Sequence, residues 1–158
     1  MPTVGAFRTD TFTFTSLGLT RRYRAIAHDT LDAVMTGIPF TWVSTNGSVA
    51  QLLGFDADTA RVVSAANGVT SVNATAQGFL SNPGAQLNVQ QVLAAIALTP
   101  PAPQVAVTGT VGLVARGLDA NGRFISGGSF IFHSATPAVA TVDSVTGRVT
   151  GMALGTAN

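Results

Sequence analysis

From Thr11 onward the chain alternates apolar and polar positions in short runs. Phe12 and Phe14 alternate with Thr11, Thr13 and Thr15, and Tyr23, Ala25 and Ala27 share a face opposite Arg22, Arg24 and His28. Phe40 and Trp42 alternate with Thr41 and Val43, and Ala85, Leu87 and Val89 follow the same rule, as do Leu113 with Ala115 and Phe130 with Phe132. A period of two sends successive side chains to opposite faces of an extended strand. Turn sequences interrupt the runs, among them Asp119-Ala-Asn-Gly122, whose Asn-Gly pair tolerates positive φ, and Asp143-Ser-Val-Thr-Gly147. Short strands separated by turn signals every roughly 8–12 residues predict an all-β sandwich or barrel.

The runs also repeat. Thr20–Leu52 aligns with Thr110–Val142 at an offset of 90, with identities at Thr20/Thr110, Ala25/Ala115, Asp29/Asp119, Gly37/Gly127, Phe40/Phe130, Ser44/Ser134, Val49/Val139 and Ala50/Ala140. Tyr23/Leu113, Trp42/Phe132 and Leu52/Val142 are conservative pairs. A three-residue insertion around Leu53–Phe55 changes the offset to 87, after which Asp56/Asp143, Thr59/Thr146, Arg61/Arg148, Val62/Val149, Ala66/Ala153 and Gly68/Gly155 match. Self-similarity of this kind means two copies of one structural unit. The expected division is an N-terminal extension at 1–10, a first unit at 11–91 and a second at 92–158. Phe40, Trp42, Phe130 and Phe132 are expected to fill the two cores, where a sandwich needs large rings.

These residues carry a resemblance. Asp119-Ala-Asn-Gly122, Phe130-x-Phe-x-Ser134, Pro137-Ala-Val-Ala-Thr-Val-Asp143, Thr146-Gly-Arg-Val-Thr-Gly151 and Gly155-Thr-Ala157 resemble the bacterial immunoglobulin-like domain, group 2 (the BIG2 family). The first copy resembles it more loosely, through Phe40-Thr-Trp-Val-Ser44, Val49-Ala50, Thr59-Ala-Arg-Val62 and Asn67-Gly68. The resemblance implies two tandem immunoglobulin-like β-sandwiches, of the kind found in exported surface proteins, adhesins and phage structural proteins. It implies no shared catalytic residues, so it transfers no active site.

The repeat predicts an unfinished second unit. Asn158 aligns with Ser71, so the second copy has no counterpart of Val72-Asn-Ala-Thr-Ala76 or of the Ala85–Val89 strand. A sheet without its closing strands leaves backbone groups unpaired along an edge, and a domain of ~75 residues has little stability to spare. Either further chain completes the sheet, or another subunit inserts a strand there. The alternating segment Thr11, Phe12, Thr13, Phe14 and Thr15, with the extension before it, is the candidate donor strand. Donation from copy to copy that does not close into a ring would build a fibre.

Composition narrows the chemistry. Thr and Val, both β-branched, account for 39 of 158 residues, while Lys and Glu are absent: all eight basic residues are Arg and all seven acidic ones are Asp. Hydrophobic residues make up 46% and the net charge is +1, which argues against disorder and against a polyanionic partner such as nucleic acid. Cysteine is absent, removing disulfides and thiolate chemistry. The longest aliphatic run, Val92–Leu98, is far short of the roughly 20 residues that a membrane helix needs, so membrane insertion is not expected. Met1–Asp10 lacks the apolar core of a signal peptide.

His28 and His133 fall at different repeat positions and read as strand histidines; two histidines without Cys do not make a zinc site. No G-x-S-x-G elbow is present. Asp29 and Asp119 recur at equal positions, which favours turn geometry over calcium ligation. In Arg21-Arg22-Tyr23-Arg24, Arg22 and Arg24 should face solvent while Tyr23 takes a core position. The expected function is therefore a non-enzymatic structural or adhesive module at the cell surface or outside the cell, needing no cofactor and partnered by copies of itself, adjacent immunoglobulin-like modules, or a cell-surface glycan or protein. A phage virion decoration or tail protein is the alternative, and a carbohydrate-binding accessory module is a third reading.

Overall fold

The computed structural model describes residues 3–4, 11–81 and 84–158. All their regular elements are strands, grouped into two compact units, one running to Val92 and the other Leu93–Asn158. Of the expected N-terminal extension, residues 1–2 and 5–10 lie outside the described residues.

The first unit contains β1 (Thr3–Val4), β2 (Phe12–Phe14), β3 (Thr20–Arg24), β4 (Ala27–His28), β5 (Val34–Met35), β6 (Thr41–Ser44), β7 (Ala50–Phe55), β8 (Thr59–Ser64), β9 (Gly68–Ala76), β10 (Phe79–Leu80) and β11 (Ala85–Val89). β9 organises one sheet. β6 pairs antiparallel along one of its edges, β10 and β11 pair antiparallel along the other, and β2 adds in parallel to β11. The second sheet runs β3-β8-β7, and β1-β4-β5 form a small ribbon. The alternation of β9 shows why: Thr70, Val72, Ala74 and Ala76 are buried, while Val69 faces solvent. Phe14, Trp42, Val72, Leu87 and Val89 of the first sheet share one core with Ala60 and Val62 of the second, and Phe40 and Val49 join them.

Thr11–Thr15, expected as a donor strand, is instead used within its own unit. Leu87 pairs with Phe12 and Val89 with Phe14, and Phe14 is only 1% exposed. Lending this strand to another copy would remove a buried ring from the core that holds it, so the parallel position beside β11 keeps it.

The second unit contains β12 (Ala95–Thr99), β13 (Thr110–Gly112), β14 (Val114–Leu118), β15 (Phe124–Ile125), β16 (Ala140–Val142) and β17 (Arg148–Gly151). Its sheets are β12-β14-β15 and β13-β17-β16. The latter repeats β3-β8-β7, and the former repeats the β1-β4-β5 ribbon. Details recur atom by atom. Ser44 Oγ donates to Ala50 O at 2.6 Å, and Ser134 Oγ to Ala140 O at 2.6 Å. The Val49 carbonyl accepts from Ala65 and Ala66, and that of Val139 from Met152 and Ala153. Gly68 and Gly155 adopt φ of 146° and 154°, and a Cβ at either would strike Val49 or Val139 respectively, so only glycine fits this crossing.

The cores differ. No hydrophobic side chain of residues 93–158 is fully buried. Phe130 and Phe132, expected in a closed core, are half-buried, because residues 93–158 include no counterpart of the β9–β11 sheet that covers Phe40 and Trp42.

Leu87→Ala and Phe14→Ala should each lower the stability of the first unit by about 2–5 kcal/mol, read from urea unfolding followed by the fluorescence of Trp42. Tyr23→Phe should leave stability unchanged or raise it by about 1 kcal/mol, because the buried Tyr23 hydroxyl has no hydrogen-bond partner among the described residues. A loss above 1 kcal/mol would contradict that geometry.

Candidate functional site

The recurrent aspartates are turn-formers. Asp29 Oδ1 accepts from the N–H groups of Leu31 (2.8 Å) and Ala33 (2.9 Å). Asp119 Oδ1 accepts from those of Asn121 and Arg123, both at 2.9 Å. In each loop the same Asp also exchanges backbone bonds, and the tip takes positive φ at Asp32 (64°) and Gly122 (72°). Each carboxylate thus commits Oδ1 to the turn of its own loop. Asp143 builds a similar loop, accepting from Thr146 N (2.7 Å), Thr146 Oγ1 (2.8 Å) and Val145 N (3.1 Å).

These donors favour the ionised form. The N–H groups of Ala33 and Leu31 hold the Asp29 carboxyl below its ordinary range, and the N–H and hydroxyl of Thr146 do the same for Asp143.

His28 Nδ1 lies 2.9 Å from Asp32 Oδ1 and 3.1 Å from Asp32 O, over its own hairpin turn. His133 is exposed in the other unit. Among the described residues no three His, Asp or other ligating side chains converge.

On β3 the arginines divide. Arg22 and Arg24 face solvent and Tyr23 is half-buried; burial pushes its hydroxyl pKa up, with Arg21 opposing. Arg24 Nε pairs with Asp58 Oδ2 at 2.7 Å. The Arg21 guanidinium sits 3.8 Å from the centroid of the Phe12 ring and 5.5 Å from that of Tyr23, covering the margin of the core by cation–π contact. Register opposes Arg22 directly to Arg61, a partner not evident from sequence. The insertion at Leu53–Phe55 was the available signal: it places a β-bulge between Leu52 and Gly54 beside that pair.

The second unit holds an open edge. In the first unit β6 is a strand because Thr41–Ser44 ladders onto Thr75–Val72 of β9. The equivalent segment, Phe130–Ser134, has no ladder. Its neighbours are nonetheless in position: Phe132 N donates to Ser144 O at 2.9 Å, and Ala135 N donates to Asn158 O at 2.6 Å, just as Thr45 N donates to Ser71 O. The path that β9 takes beyond Ser71 is thus unoccupied by residues 93–158. With Phe132 N directed toward Ser144, strand alternation turns the N–H groups of Ile131 and His133 toward the vacant side.

Strands and sheets together define a class of protein: an all-β scaffold of two compact units. More particularly, residues 92–158 match the family model of the bacterial Ig-like domain (group 2). No curated protein matches the sequence. Among solved structures, the chain is similar to domains 5–6 of the S-layer protein SbsC at 18% identity and TM-score 0.44, over 96% of this chain and 85% of that one. It is also similar to FdeC, an Escherichia coli adhesin (15%, TM-score 0.45, 87% of this chain and 52% of that), and to the Yersinia pseudotuberculosis adhesin InvE (14%, 0.46, 95% and 51%). The chain spans about half the length of those two adhesin chains.

Folded-state pKa values below the unfolded carboxylate value of about 3.9 mean that the unfolded chain binds more protons in acid. The contribution of Asp29 and Asp143 is therefore fully present above pH ~4 and lost as pH falls through their depressed values. Urea midpoints should be level from pH 7 to 5 and drop below about pH 4, and Asp29→Asn with Asp143→Asn should flatten that drop. Asp119→Ala, which strips a buried acceptor from two N–H groups, should cost about 1–3 kcal/mol in the same assay.

Proposed function

We propose that the chain is a non-enzymatic structural or adhesive module of the cell surface or extracellular space, and that its second unit is completed by a further β-strand, from following chain, a neighbouring copy or an adjacent immunoglobulin-like module. The observation that carries this reading is the open edge at Phe130–Ser134, beside a row of half-buried apolar side chains. An extended segment added there would pair with the N–H and C=O groups of Ile131 and His133 and cover Phe130 and Phe132. β9 shows what fits: small or β-branched residues at alternate inward positions, as with Thr70, Val72, Ala74 and Ala76. Main-chain bonds would supply the affinity, and the inward side chains the selectivity.

Backbone ladders and apolar cores would then transmit load between modules, with no chemistry required of either histidine. The likeness of residues 92–158 to a family found on exported proteins supports the location, and a virion component is the second reading, favoured by the same fold.

Light scattering and negative-stain microscopy across concentration should show end-to-end association. His133→Pro, which deletes an N–H on the vacant side without touching the Phe132–Ser144 bond, should abolish it while leaving circular dichroism unchanged. A strictly monomeric folded chain at all concentrations would end the self-assembly reading.

A further inference from the structure

The chain contains three Asn-Gly pairs, Asn46-Gly47 and Asn67-Gly68 in the first unit and Asn121-Gly122 in the second. Such a pair is chemically reactive. Glycine has no Cβ to obstruct it, so its backbone nitrogen can swing onto the side-chain carbonyl carbon of the asparagine before it. The structure treats the three pairs differently.

Two of them are tied down. Asn67 is gripped at both ends of its amide, Oδ1 accepting from Gln91 N at 2.8 Å and Nδ2 donating to Gln91 Oε1 at 3.3 Å. Gly68 opens β9, and a Val49 methyl stands 2.8 Å from where a Cβ on it would lie, which leaves this pair little space to rearrange. In the other pair the attacking nitrogen is already engaged. Gly122 N donates to Asp119 O at 2.9 Å, while Asp119 Oδ1 holds the N–H groups of Asn121 and Arg123.

Asn46-Gly47 lacks these restraints. Both residues are exposed, and nothing lies within 4 Å of a Cβ position on Gly47. Among the described residues, neither the Gly47 N–H nor Asn46 Nδ2 has an acceptor. Asn46 Oδ1 accepts from Ser48 N at 3.1 Å, a bond that polarises the side-chain carbonyl next to the free nitrogen.

The repeat shows that the turn itself does not require this pair. Asn46 aligns with Thr136 and Gly47 with Pro137. Asn46 O accepts from Val49 N (3.1 Å) and Ala50 N (3.2 Å), and Thr136 O accepts from Val139 N (2.9 Å) and Ala140 N (3.1 Å). Thr-Pro therefore builds the same turn with no side-chain amide and no N–H at the next residue.

We infer that Asn46 is a site of spontaneous deamidation, selected by the fold from among the three pairs. Gly47 N gives up its proton to hydroxide and attacks Asn46 Cγ. The new N–C bond closes a succinimide as the Cγ–Nδ2 bond breaks, and the amide leaves as ammonia, taking a proton from water. Water then opens the ring at either carbonyl, giving aspartate, or isoaspartate with the main chain rerouted through Cβ and Cγ. The sum is amide plus water to carboxylic acid plus ammonia, with no oxidant or reductant. Either product lowers the formal net charge from +1 to zero. Isoaspartate also takes the Asn46 carbonyl out of the main chain, and so loosens the turn that leads into buried Val49 and Ala50. The site is independent of strand docking at the second unit.

The test is to age the folded chain in mildly alkaline buffer and follow each pair by peptide mapping, with isoaspartyl methyltransferase labelling as the probe of rerouted backbone. Acid should form at Asn46 at least about tenfold faster than at Asn67 or Asn121, because those two must open locally before they react. In denaturing urea the three pairs should react at comparable rates, which assigns the selectivity to the fold. Asn46→Thr and Gly47→Pro, which copy the second unit, should each remove the main isoaspartate signal of the folded chain and leave its circular dichroism unchanged. Equal rates at the three pairs in the folded chain would overturn the inference. So would an intact Asn46 in a folded chain whose urea-unfolded form reacts, or an undiminished signal at position 46 in Gly47→Pro.

Discussion

A β-sheet in water must hide one face, and most of this structure follows from how that face is covered. In the first unit the apolar side of β3-β8-β7 lies under the sheet built on β9, and Leu87, Val72, Val62 and Ala50 lose all contact with solvent. At ~25 cal/mol per Å² of apolar surface, such burial is the dominant favourable contribution available to a chain with few ion pairs and no disulfide. Every other feature of the unit serves that closure. Arg21 shields its margin, Ser64 Oγ donates to the carbonyl of Ser16 (2.8 Å), and Ser81 Oγ satisfies the buried N–H of Ala74 (3.0 Å).

Residues 93–158 repeat the part of that design that precedes β9. The turns, the serine clasp and the glycine crossing at Gly155 reproduce their counterparts in the first unit, which shows that local chemistry suffices to form them. Phe130–Ser134, whose sequence matches Phe40–Ser44, forms no strand, because no segment among residues 93–158 ladders onto it as β9 does onto β6. Strand structure is a property of the pair rather than of the segment. The half-buried state of Phe132, set against the burial of Trp42, has the same origin.

The repeat also separates what the scaffold needs from what has been added to it. Asp29 and Asp119 recur because the loop needs them. Arg22 and the Leu53–Phe55 insertion occur once, and register sets Arg22 and Gly54 on either side of Arg61.

Period-two alternation, the β-branched composition and the spacing of Asp-Asn-Gly turns determined the all-β class, the repeat and the loop roles of Asp29 and Asp119, because these depend on neighbours a few residues away. The tertiary structure alone decided three matters. Thr11–Thr15 looked free to pair with any edge, and its parallel place beside β11 emerged only once Phe14 had a core to enter. Phe130 and Phe132 had the pattern of core residues, yet burial requires a second sheet to lie over them. Arg22 and Arg61 are 39 positions apart in the chain, and only the antiparallel register of β3 with β8 makes them neighbours. Alternation tells a residue which face it takes; long-range pairing tells it what it meets there.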